Sequence, residues 1–78
     1  MERKEVLEKL NDIFDDILDL GGVTVTDSTT AYDIEEWDSL AHIQLVVAIE
    51  KAFGIKFTSK EVVSWKNVGE MVDSILKK

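Results

Sequence analysis

Residues 35–45 read EEWDSLAHIQL, and the side chains here that could take part in chemistry are Asp38, Ser39 and His42. A serine hydroxyl acts as a nucleophile when a base accepts its proton and an oxyanion site stabilises the attack. His42, the single histidine, stands three residues after Ser39. On a helix it lies nearer the core-side stripe than Ser39 does, and no G-x-S-x-G elbow surrounds the serine. Hydrolysis by a Ser39–His42 pair is therefore disfavoured and no catalytic residue is assigned. His42 reads as a boundary residue with no chemical role. Ser39 can instead cap a helix, as can Asp38, since both carry a short oxygen acceptor. Trp37 then anchors the core, and Asp38 offsets the helix dipole.

The remaining constellations are weaker. Asp15, Asp16 and Asp19 read as a solvated helix face. No D-x-D-x-D-G loop supports calcium. Glu35, Glu36 and Asp38 could attract a divalent ion only weakly, so no metal site is assigned. A phosphate-cradling glycine loop is also missing from the sequence.

Composition narrows the function classes. The chain has 78 residues, enough for a single domain over 1–78. It has no cysteine, so one apolar core must hold it together, and 45% apolar residues suffice for that. Sixteen acids against nine bases give a charge of −7, which repels phosphate backbones and anionic membranes. Nucleic-acid binding is thereby disfavoured. No apolar run approaches the roughly 20 residues of a membrane span. The opening MERKEVLEKL lacks the apolar core of a signal peptide. The expectation is a soluble, cytoplasmic monomer.

The elements that must position Ser39 follow from periodicity. Val6, Leu10, Ile13 and Ile17, widened by Leu7, Phe14 and Leu18, predict a helix over 2–20, stopped by Gly21-Gly22. Residues 21–38 read as a long loop, pinned to the core by Val23, Val25, Tyr32, Ile34 and Trp37. VTVT lacks a second strand to pair with. A second helix spans Ser39 to Phe53 and ends at Gly54. A short helix over 59–64 turns Val62 and Val63 inward, with Trp65 closing the core. Asn67 caps a last helix, 68–77, with Val68, Met71, Val72, Ile75 and Leu76 inward. The fold class is all-α: a four-helix bundle with one short helix and a long loop between helices one and two.

The second helix carries two apolar stripes. At about 100° per residue, Leu45, Val46, Ile49, Ala52 and Phe53 form a core face. Leu40, Ile43 and Val47 gather on the opposite side, within roughly 60° of each other. Either the short helix or the long loop covers this second stripe, or it is a docking surface or pocket lip beside Ser39.

W-D-S-L at 37–40, I-x-L at 43–45, Glu50, F-G-I at 53–55 and the closing KNVGEMVDSI together resemble the acyl carrier protein family. The match covers essentially the whole chain. The resemblance implies a covalent 4′-phosphopantetheine on Ser39, transferred from coenzyme A by a phosphopantetheinyl transferase with magnesium. Asp38 matches the acid that helps hold that magnesium at the transferase. The arm's thiol then holds acyl or aminoacyl groups as thioesters, so the chain is a carrier with no reaction of its own. Leu40, Ile43, Val47 and Glu50 are the expected partner-binding residues toward the transferase and the acyl-loading and biosynthetic enzymes.

Two departures shape the expected pathway. Ile34, Glu35, Glu36 and Trp37 stand where fatty-acid carriers usually have Leu-Gly before D-S-L. Ala41, His42, Gln44, Lys51 and Ala52 leave the second helix poor in acids, with only Asp38 and Glu50 nearby. The chain looks more like a specialised stand-alone carrier for a polyketide, amino-acid or modified-sugar pathway. W-D-S-L is similar to stand-alone peptidyl and D-alanyl carriers. The alternative is an unmodified helical interaction module that docks through Leu40, Ile43 and Val47.

Overall fold

A computed structural model describes residues 2–19, 21 and 24–78. Four helices follow one another: α1 (Arg3–Leu18), α2 (Ser39–Phe53), α3 (Ser59–Ser64) and α4 (Val68–Leu76). No strand forms among the described residues, in keeping with the all-α expectation. No described helix is long and apolar enough to cross a membrane.

In α1 the four-residue repeat Val6, Leu10, Phe14 and Leu18 is buried, and Leu7, Ile13 and Ile17 flank it half-buried. The helix packs on α2 and α4. It stops two residues sooner than expected. Asp19 adopts the left-handed conformation (φ 53°, ψ 53°), and its N–H bonds to the Asp15 carbonyl at 2.8 Å. Aspartate is one of the few side chains that tolerate that region, so no glycine is needed for the stop. Leu20, the expected last residue of this helix, lies outside the described residues, as do Gly22 and Val23.

The long loop is held by side-chain hydrogen bonds rather than by a strand partner. Asn11 of α1 accepts from the Val25 N–H (2.6 Å) and donates to the Val25 carbonyl (3.2 Å). This seats the Val25 side chain in the core. Asp27 and Thr29 carbonyls accept from the Gly69 and Val68 N–H groups at the start of α4. These donors have no partner inside their own helix, so the loop satisfies them. Arg3 adds a bridge from α1 to Asp27 and Asp73, though both ion pairs are exposed and contribute little. Ile34 and Trp37 are buried as expected. Tyr32 is not; it is fully exposed. It sits in a turn closed by the Thr30 N–H bond to the Asp33 carboxylate, which leaves its ring outside the loop.

Three further expectations about the core are corrected. Val63 is 82% exposed while Val62 is half-buried. Neighbours on a six-residue helix are 100° apart and cannot both face one core. For the same reason Ile75 takes the buried place in α4 and Leu76 is exposed. In α2 the buried line is Ala41, Leu45 and Ile49, and Ala52 is exposed on the last turn, beyond the end of that seam.

Each later helix is capped by a side chain. Thr58 and Glu61 form a reciprocal box at α3, and Asn67 accepts from the Glu70 N–H at α4. The Thr58 N–H, and after it Lys78, hold the Glu61 carboxyl below the usual carboxylate range.

Gly69 marks where loop and α4 meet. A Cβ there would lie 2.9 Å from the Asp27 carbonyl oxygen and 3.1 Å from the Asn67 carboxamide oxygen. Both groups are already bonded, so neither moves freely. Gly69→Ala is expected to lower unfolding stability by about 1–3 kcal/mol in urea titrations.

Candidate functional site

The start of α2 is set by Asp38. Its backbone is extended (φ −97°, ψ −174°), and its Oδ1 accepts from the Ala41 N–H at 2.8 Å. Its carbonyl accepts the first helical bond, from the His42 N–H. Asp38 is thus the cap, and Ser39 takes the first helical position. Ser39 is exposed, and its hydroxyl has no protein partner among the described residues. The N–H groups of Ser39 and Leu40 likewise have no protein acceptor among them, leaving the positive end of the helix open beside the hydroxyl. Glu35 and Glu36 are exposed just before the cap. No group of three or more His or acidic residues among those described is placed to hold a metal.

His42 is a structural joint, a role that its spacing from Ser39 did not reveal. Trp37 Nε1–H donates to His42 Nδ1 at 3.0 Å, and the two rings stack. An indole N–H can only donate, so Nδ1 carries no proton and Nε2 does. Nε2–H then donates to the Val62 carbonyl of α3 at 3.2 Å. Both imidazole nitrogens are therefore engaged away from Ser39, which rules out the serine–histidine pair on geometry. The only sequence signal for this joint is a tryptophan five residues before a histidine, straddling a helix cap.

Trp65 continues the aromatic wall. Its ring packs edge-to-face with those of His42 and Phe57, and its Nε1–H donates to Ser74 Oγ at 2.7 Å. An open cleft of about 1020 Å³ lies in front of this wall, between the loop at Ala31 and Tyr32, the first turns of α2, and α3. Asp38, Ser39, Ile43, Val63 and Lys66 are among its lining residues.

The second apolar stripe of α2 is not covered. Leu40, Ile43 and Val47 are 66%, 60% and 44% exposed. Neither α3 nor the described part of the loop buries them. Glu50 is half-buried, and its Oε2 accepts from the Phe57 N–H at 2.9 Å. That bond ties it to the connection between α2 and α3, downstream of the Gly54 stop (φ 65°).

Residues 8–75 match the family model described as a phosphopantetheine attachment site. Acyl carrier proteins of Rubrobacter xylanophilus and Acidothermus cellulolyticus are each 31% identical to the chain, over 77 and 75 residues. These alignments cover 99% and 96% of this chain and 95% and 89% of the relatives. The solution structure of a holo acyl carrier protein from Geobacter metallireducens superposes with a TM-score of 0.87 at 40% identity, covering 94% of this chain and 84% of that one. The acyl carrier protein of Enterococcus faecalis gives a TM-score of 0.75 at 30% identity, with 99% and 98% covered. The chain belongs to the acyl carrier protein family. It is a carrier rather than an enzyme, and its prosthetic group is covalently attached 4′-phosphopantetheine.

The residues at the start of α2 fit such a group. They offer an unengaged hydroxyl and open N–H donors for a phosphodiester, and the cleft beside them, which Lys66 of the α3–α4 connection also lines, is largely apolar for the arm.

The tautomer can be read directly. Long-range 15N–1H correlation spectra of neutral His42 are expected to place the ring proton on Nε2, with Nδ1 unprotonated and hydrogen-bonded. A proton on Nδ1 would contradict the joint.

Proposed function

We propose that Ser39 carries the 4′-phosphopantetheine arm and that the protein presents acyl or aminoacyl intermediates to the enzymes of a dedicated biosynthetic pathway. The observation that carries this reading is the division of labour at the head of α2. Asp38 performs the capping, so Ser39 is left with nothing to do in the fold. Its hydroxyl stands in solvent, where a modifying enzyme can reach it.

The arm, when bound, supplies a terminal thiol that holds the cargo as a thioester. The chain's own residues do the rest. Ser39 anchors the arm, and the open N–H groups of α2 favour the charge of its phosphodiester. Asp38 keeps one carboxylate oxygen on the cap, and its second oxygen can face a transferase-bound magnesium ion. A single carboxylate is a weak magnesium ligand, so the transferase must supply most of the coordination.

Leu40, Ile43 and Val47 are the partner-binding surface of this proposal, since exposed aliphatic side chains on one face suit docking. Glu50 borders that surface, with one oxygen already held by Phe57. Most of the acids precede Ser39 in the chain, so the outer face of α2 offers few of the charges that a basic patch would grip. That distribution supports a specialised pathway over housekeeping fatty-acid synthesis. The protein acts as a cytoplasmic monomer in this reading.

The test uses coenzyme A, magnesium and a broad-specificity transferase, followed by intact mass. The chain is expected to gain one phosphopantetheinyl group, and Ser39→Ala none. An equal gain in Ser39→Ala would overturn the assignment. In the same assay Asp38→Asn separates the two duties of Asp38, because asparagine caps a helix as well as aspartate. Its folding stability is expected to be unchanged, while modification slows by roughly 10–100-fold.

A further inference from the structure

Where the cargo rests follows from the aromatic wall. Trp37, His42 and Val62 are joined by two hydrogen bonds, so α3 is fastened to α2 next to the arm's anchor. Trp65 fastens the far side to α4 through Ser74. Behind the wall, Phe14, Leu45, Ile49 and Met71 are fully buried against one another. An alkyl chain entering between α2 and α3 would have to part the Trp37–His42 and His42–Val62 bonds, leaving an indole N–H, an imidazole N–H and a carbonyl, all part-buried, without these partners. Leaving such groups unpaired opposes the gain from burying methylenes.

The surface in front of the wall has the opposite character. Tyr32 is fully exposed, and Val63 and Ile43 are 82% and 60% exposed, around one cleft. None of the three is used by the core. Ser39 lines the same cleft, so any group tethered there meets these side chains at high effective concentration.

We propose that this carrier keeps its cargo outside the helical bundle, in the cleft between the Tyr32 turn and α3, and that the cargo is a short acyl or aminoacyl group rather than a long alkyl chain. The inference rests on attachment at Ser39. Tyr32, Ile43 and Val63 form its rim, and His42 and Trp65 its floor.

The test loads the apo protein from acetyl-, hexanoyl- and decanoyl-coenzyme A with a broad-specificity transferase and magnesium. Intact mass verifies each product. Cleavage of each thioester by hydroxylamine is then timed, and methyl NMR spectra are recorded. The three rates are expected to agree within about threefold, because no methylenes are withdrawn into the interior. Methyl resonances of Ile43, Val62 and Val63 are expected to move on loading, while those of Leu45 and Ile49 stay in place. Decanoyl cleavage slower than acetyl by about tenfold or more, with Leu45 and Ile49 shifted, would overturn the inference and leave attachment at Ser39 intact. Still resonances at all three cleft residues would overturn the cleft as the resting place. A chain that gains no mass would sink the attachment reading, and this one with it.

Discussion

The bond from the Ala41 N–H to the Asp38 carboxylate fixes where α2 begins, and the functional end of the molecule is arranged around that point. A helix that started one residue later would make Ser39 the cap and tie up its hydroxyl. Starting at Ser39 leaves the hydroxyl unengaged on the first turn. It also puts Trp37 just before the cap, where its indole reaches both Phe14 in the core and His42 on the second turn of the helix. One carboxylate thus separates a side chain held out for modification from a side chain held in for stability.

The joint at His42 completes this division. A carrier must present one atom in a reproducible place, yet α3 has only six residues and no fully buried side chain of its own. Its reciprocal cap, the Val62 carbonyl bond to His42, and the Lys78–Glu61 contact hold it against the rest. The loop contributes in the same way from the other side, through Asn11 at Val25 and the carbonyls that receive the start of α4. With the interior fastened at these points, the exposed apolar residues near Ser39 and along α2 are not demanded by folding. Their place is best understood by what they meet outside the bundle.

Much of this was legible in the sequence because helix periodicity and caps are local signals. The bounds of α2 and α3 follow from Asp38, Thr58 and Gly54, residues whose preferences depend on their nearest neighbours. The uncovered stripe of Leu40, Ile43 and Val47 was legible as an excess of apolar surface, although its exposure was not. Tyr32, Val63, Leu76 and Ala52 were misplaced because hydrophobicity says that a residue could be buried, not that a partner lies opposite. A wheel assigns Ala52 to the core side but does not know where the bundle ends. The His42 joint and the Asn11 bracket depend on residues brought together by tertiary packing, and no single-sequence period encodes them. The early stop of α1 was hidden because aspartate rarely enters the left-handed region and glycines stood close by.

Asp38 alone caps α2, and Ser39 carries no structural load. Denaturant unfolding of the two alanine variants decides it. Asp38→Ala should lose about 1 kcal/mol. Ser39→Ala should stay within about 0.5 kcal/mol of the parent, since alanine is a good helix former at an exposed first-turn position. The reverse ranking, with Ser39→Ala the weaker protein, would place the serine in the cap and contradict the account.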